Sequence, residues 1–594
     1  MQSNLAASPL RNIRRFCLAL NFLLAPLTAL SAEHGFAIHS DLRLGADFAH
    51  FPYANPEAAQ GGLLRQGTVV TFDTTNGMRF PGKMPNEFDY IYDTLMVRAE
   101  DELASYYGLI AESVALADDF SSAVFTLRSN ARWHDGTPLT AEDVRFTFET
   151  VRAHGLPRYR TTLQPIEIEV LSPHKIRFSS AIPGDWVYLD LIATFPIYPK
   201  HVWAERDVSK MSMQMPLGSG PYRVSALDLN DRTLIERVPD YWGNDLPVNK
   251  GLWNFDRIET VYFADRTVMI EALRAGRLDI NRELNGAFWA DSYDGPALES
   301  GQLEQSTFTM PGGGWSSGLI FNLRRPPLED RRVREALTIA FDGPWIRANL
   351  YRNAYPAPGR FYGQSALSAG AAVTPEEIAL LSPFKVQLPS GLFDAPAPEA
   401  FDALTKRQRL RRADALLTEA GYVLANGIRV NRETGTPLQL EYVGAHADIR
   451  PVITVYAKAL SELGIELEIE IHDYVVGRRF ILDHDFDLTL AGFGSDFPPG
   501  ASERLFWHSE NALKSGYALA GAQDPAIDAA IEAMTGSTDF EEIIGATRTF
   551  DRVLSWQRYI LPMWRRDKIW IAHDANLRFP AEFQFKNFHH VQYL

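Results

Sequence analysis

The sequence predicts an α/β fold built as more than one lobe. Three observations carry that expectation. The chain runs to 594 residues, whereas single domains usually hold roughly 100–200. Its composition is that of a packed globular protein, 46% hydrophobic and 22% charged. Strand-like and helix-like patterns also alternate along the whole length.

The elements follow in chain order. Arg11, Arg14 and Arg15 precede an apolar run over 16–30 that is short for a membrane span. Small residues at Ala29, Ser31 and Ala32 suit cleavage near Ser31 or Ala32, so residues 1–32 read as an export signal. An uncleaved anchor or a buried helix is the other reading. Cys17, the only cysteine, lies inside this segment. The mature chain is therefore expected to lack disulfides, thiol catalysis and Cys-ligated metal. No later stretch approaches the length of a membrane span, which predicts a soluble mature protein.

Residues 124–151, VFTLRSNARWHDGTPLTAEDVRFTFETV, predict a strand, a turn at Asp135-Gly136 and a capped helix. Thr140 stands three residues before Asp143, close to a capping box. Val144, Phe148 and Val151 then give the helix one apolar face. Asp265 predicts a cap for a helix through Ala275, stopped at Gly276, with a short strand over 278–280. Asp330 precedes a helix facing inward through Val333, Leu337 and Phe341. Pro451 suits the first turn of a helix ending at Gly464. A period-two strand over 465–471 follows, and a last helix near 541–558. The Ala-, Pro- and Ser-rich stretch 363–400 reads as an ordered excursion or lid.

Charge and motifs narrow the function. The formal net charge is −16, and loss of the three leader arginines makes it −19. That argues against nucleic acid as a partner. It mildly favours cationic ligands, although solubility alone accounts for an acidic surface. Twelve Trp, 22 Tyr and 35 Phe suit a large core or an aromatic ligand cleft. His134-Asp135-Gly136 has no further ligands at metal spacing, and neither His446-Ala447-Asp448 nor His589-His590 supplies them. H-E-x-x-H is absent. The chain reads as a non-enzyme with no cofactor and no metal; a hydrolase of unrecognised type is the remote alternative.

The segment 124–151 resembles a signature of the extracellular solute-binding proteins of peptide-type ABC importers (family 5). GSGPYRV over 218–224, PDYWGNDLPVNKG over 239–251 and FNLRRPPLEDRRVREALTIAFD over 321–342 resemble further blocks of that family. The stretches 34–62 and 376–393 are similar to its YejA-type subgroup, periplasmic receptors for oligopeptides and peptide antibiotics such as microcin C.

The resemblance implies a two-lobed periplasmic binding protein fold (cluster C, type II-like), with an extra subdomain in lobe one. It places lobe one at 33–310 plus 558–594, with the subdomain at about 81–211, and lobe two at 311–557. MPGGGW over 310–315 then falls at the first crossover, as a hinge or an ordinary loop.

FDLTLAGFGSDFPPG over 486–500 resembles the family's ligand block. That implies Asp496 as partner of a peptide ammonium, with Gly492, Phe493 and Gly494 as a main-chain strip and Phe497 beside them. A turn aspartate is the other reading of Asp496. Phe493 stands where the family usually has tryptophan, and Pro498-Pro499-Gly500 replaces its usual continuation. From lobe one, Asn76 is a candidate for ligand main chain or for a turn. Trp315 is a candidate for stacking on ligand or for core packing. The implied partners are a peptide, an inner-membrane ABC permease and its ATPase subunits, with the receptor a monomer. The same scaffold in relatives carries sugars, metal chelates, haem or opines.

Overall fold

The computed structural model describes residues 31–38, 40–102, 104–181, 186–310, 315–363, 365–396, 401–493, 499–514 and 516–580. Two large sheets organise them. The first has seven strands, in the order Leu303–Thr309, Lys568–Asp574, Ile280–Glu283, Leu63–Thr68, Arg257–Tyr262, Arg232–Arg237 and Tyr222–Asp228. The second has five, in the order Glu466–Ile471, Gln439–Gly444, Leu488–Phe493, Trp315–Phe321 and Ile560–Arg566. These are the sheets of lobe one and lobe two.

A four-stranded antiparallel sheet, Ala111–Leu116, Ser122–Leu127, Lys175–Ser180 and Ile166–Ser172, forms the subdomain. The helix Ala141–His154 buries Val144, Phe148 and Val151 against it, the face that their spacing predicts. Asp143 is the reason this helix begins where it does. Its carboxylate accepts the Thr140 backbone N–H at 2.9 Å and the Thr140 hydroxyl at 3.2 Å. Its other oxygen accepts the backbone N–H of Lys200 at 2.9 Å. His134 and Asp135 are engaged in the same local frame. The His134 ring shares a hydrogen bond with the Gly220 carbonyl at 2.9 Å, and Asp135 accepts the Thr137 N–H at 2.9 Å. The HDG motif therefore locks the turn to the 218–221 segment.

The other caps form as expected. Asp265 accepts the N–H groups of Thr267 and Val268 at the start of Arg266–Arg274, and Asp330 accepts that of Arg332 at the start of Arg331–Ala340. Helix Phe540–Gln557 agrees with its predicted span to within one residue, and Arg450–Ser461 ends three residues before Gly464. The short strand lies at Ile280–Glu283, not 278–280. Asp279 is instead turned toward Arg65, accepting its backbone N–H at 2.7 Å and its guanidinium at 2.6 Å.

The excursion over 363–396 is tied down on lobe two. Asp551, fully buried on Phe540–Gln557, accepts the N–H groups of Ala369 and Tyr362 and the Ser368 hydroxyl. Its neighbour Arg552 pairs with Glu377 at 2.9 Å, both side chains essentially inaccessible, and donates to the Gly370 and Ala372 carbonyls.

Ile560–Arg566 belongs to the lobe-two sheet, paired with Trp315–Phe321, and only Lys568–Asp574 returns to lobe one. The chain changes sheets at Asp567. Arg558, in the left-handed conformation at φ 54°, ends the preceding helix.

Candidate ligand-binding site

Each sheet contains a parallel trio. In lobe one, Leu63–Thr68 runs parallel to both Arg257–Tyr262 and Ile280–Glu283. In lobe two, Gln439–Gly444 runs parallel to both Glu466–Ile471 and Leu488–Phe493. Crevices outside the carboxyl ends of parallel strands are where α/β sheets take ligands. Here the two sets of carboxyl ends face each other. Arg266, four residues beyond Tyr262, pairs at 3.4 Å with Asp448, four residues beyond Gly444. The same guanidinium pairs with Glu283 at 3.0 Å. Tyr355 of lobe two adds a neutral bridge, donating to the Leu284 carbonyl and accepting the Gly286 N–H, both at 2.9 Å. At the far side of the subdomain, the Trp186 indole donates to the Ser537 carbonyl at 3.2 Å.

The lobe-one wall follows Leu63–Thr68. Phe72 packs on Tyr262 with ring centroids 5.2 Å apart. Thr74, Thr75 and Asn76 are fully buried. The Asn76 amide donates to the Val208 and Lys210 carbonyls at 2.9 and 3.1 Å, and its oxygen accepts the Met78 N–H. The side chain is thus spent inside lobe one, shaping the turn. Glu87, also buried here, is pushed up to about 7 by desolvation, with hydrogen bonds from Thr260 and Tyr262 opposing the rise.

In lobe two, Leu488–Phe493 pairs with Trp315–Phe321 along its length, Gly492 opposite Ser317 and Phe493 opposite Ser316. On its other edge it meets Gln439–Gly444 at Tyr442 and Leu488 and then diverges from it. The divergence leaves that edge of 490–493 beside the cleft, with Gly492 exposed. Phe493 turns inward instead, 8% exposed and packed on Phe361 and Trp507 with centroids 4.9 and 6.2 Å away. Trp315 opens its strand opposite Arg566. Gly494, Asp496 and Phe497 lie outside the described residues.

A pocket fills the gap where the two strands part. Tyr442, Gly444, Ala445, His446, Thr489 and Leu490 line it, with Tyr474 and Arg478 from the helix Tyr474–Leu482. Burial lowers the pKa of His446, and the Arg478 charge adds to that, against the opposing pull of Asp448. These residues come from three separated stretches of chain. The one local signal was a glycine ending a strand in a strand–helix–strand alternation. Among the described residues, no group of three or more His, Cys, Asp or Glu is placed to hold a metal ion. No described helix is long and apolar enough to cross a membrane.

Two α/β lobes, crossed twice by the chain and facing each other through parallel-strand ends, define the class of two-lobed solute-binding proteins. The chain belongs to the bacterial extracellular solute-binding proteins, family 5, whose model matches residues 105–513. YejA of Escherichia coli strain K12 is 34% identical over 543 residues, covering 90% of this chain and 89% of that one. A probable peptide-binding protein YejA of Agrobacterium fabrum is 32% identical, covering 95% of both. In structure, the oligopeptide-binding protein AppA of Bacillus subtilis, bound to a nonapeptide, superposes with a TM-score of 0.68 at 18% identity, over 90% of this chain and 98% of that one.

Proposed function

We propose that the protein is the substrate-receiving component of an ABC importer and that its substrates are oligopeptides or peptide-like compounds. One observation carries this reading. The 490–493 edge beside the cleft offers main-chain donors and acceptors to an extended ligand. Such pairing holds a peptide largely without regard to side chains. Gly492 supplies an edge position with no side chain to obstruct approach. Asp496, just beyond this strand, is the proposed partner of the ligand's ammonium.

Closure follows from the same arrangement. A ligand shifts the lobes together only if it binds the closed state better, so both walls must touch it at once. The proposed cycle is export through the 1–32 leader, capture of ligand between the lobes as a monomer, and delivery to a membrane permease driven by ATPases. The family is one of binding proteins. Accordingly, the proposed cycle contains no bond-making step. Peptide antibiotics of the microcin C type fall within the proposed substrate range.

Native mass spectrometry of protein purified from its own host tests the proposal. Retained masses that fragment as peptides are expected. A single recurrent non-peptide mass would replace the peptide reading with another solute.

A further inference from the structure

The lobe-two pocket has a chemistry that main-chain pairing does not use. Arg478 lines it, and its guanidinium carbon lies 5.1 Å from the centroid of the Tyr517 ring. Among the described residues, no carboxylate lies within ion-pair distance of Arg478. The nearby acids are engaged elsewhere: Asp448 with Arg266 at 3.4 Å, Glu470 with His472 at 3.0 Å, and Asp473 with the Val476 N–H at 3.1 Å. Deeper in the pocket, the Tyr442 side chain is wholly buried, and its hydroxyl donates to no acceptor among the described residues. A buried donor left unused is unfavourable, and a ligand acceptor would recover that loss. Thr489 leaves no donor for the task, since its hydroxyl is given to the Val443 carbonyl at 2.8 Å. Gly444 keeps the mouth open, because a Cβ there would stand 2.8 Å from the Tyr442 hydroxyl oxygen.

We infer that this pocket takes a side-chain carboxylate of the ligand, with Arg478 as its charge partner and the Tyr442 hydroxyl as a second donor. Guanidinium–carboxylate contacts are charge-assisted and forked, so they add both affinity and orientation. In a chain of net charge −16, such a pocket lets an acidic peptide enter against the overall field. His446 at the rim stays neutral near pH 7, because burial and Arg478 both lower its pKa. The inference rests on the peptide reading above and adds a side-chain preference to it.

Calorimetric titration with tetra-alanine and its single-glutamate variants Ala-Glu-Ala-Ala, Ala-Ala-Glu-Ala and Ala-Ala-Ala-Glu tests it on the mature protein. At least one glutamate peptide is expected to bind about tenfold more tightly than tetra-alanine. R478Q should abolish that preference, R478K should keep part of it, and Tyr442→Phe should reduce it. A wild-type protein that binds the four peptides equally overturns the inference and leaves the peptide reading standing. A preference that survives in R478Q overturns it as well. Failure of all four peptides to bind removes the peptide reading, and the inference with it.

Discussion

Met310 donates its backbone N–H to the carbonyl of Asp567 at 2.8 Å, joining the two strands that cross between the lobes. On one side Thr309 pairs with Lys568, and on the other Trp315 pairs with Arg566. The segment around Asp567 is thus paired on both sides of the point where it passes from one sheet to the other. Met310→Pro removes the N–H while leaving both sheets intact. The expected loss is about 1 kcal/mol of stability, with a broader spread of lobe separations in small-angle scattering without ligand. A scattering curve identical to the wild type would show that this bond does not restrain the hinge.

Asp143→Ala should lower stability by about 1–3 kcal/mol, since the Thr140 and Lys200 N–H groups lose a buried acceptor. Peptide affinity, measured by calorimetry, should stay unchanged. A selective loss of affinity would place this signature segment in the ligand site rather than in the scaffold.

Arg552→Met leaves Glu377 buried without its counter-charge, and breaking such a pair typically costs about 3–5 kcal/mol. The double variant Arg552→Met with Glu377→Gln should recover part of that loss. Limited proteolysis should cut the single variant first within 363–396, because Arg552 also holds the Gly370 and Ala372 carbonyls.

Asp93 gives the protein a pH dependence. Burial raises its carboxyl to about 7, against hydrogen bonds from Tyr241, Trp242 and Ser219 that favour ionisation. A carboxyl raised on folding binds its proton more tightly in the native state. The stability it confers is present below the unfolded value near 4 and is lost as pH rises toward 7. The slope in that window is at most about 1.4 kcal/mol per pH unit. Asp93→Asn should flatten denaturation midpoints between pH 4 and 7, and an unchanged slope would assign the effect to another group.

Asp496→Ala should weaken binding of free-amine peptides at least tenfold more than binding of their N-acetylated forms, a ratio worth about 1.4 kcal/mol. Equal losses for the two forms would dismiss Asp496 as the ammonium partner and leave main-chain pairing to hold the ligand.

What the sequence revealed, and what it hid, follows from the range of the interactions. Asp265, Asp330 and Thr140–Asp143 act on N–H groups two or three residues away, or on each other, so their helices were legible. Asn76 was legible as a turn-former or a ligand contact. Only the carbonyls of Val208 and Lys210, far along the chain, assign its amide to the scaffold. The lobe-two pocket was hidden for the same reason. Tyr442, Arg478 and Thr489 meet only once two parallel strands diverge around a helix. His446-Ala447-Asp448 failed as a metal motif, yet Asp448 proves to be the lobe-two partner of Arg266. The change of sheet at Asp567 was hidden because Ile560–Arg566 and Lys568–Asp574 form nearly continuous β-structure, and their patterning does not say which sheet each joins.

The indole of Trp186 is 2% exposed and hydrogen-bonded to Ser537 on the opposite lobe. Separation of the lobes must break that bond and carry the indole toward water. The unlabelled chain therefore holds its own optical gauge of closure, a shift in tryptophan emission that can be followed in stopped flow as ligand is added.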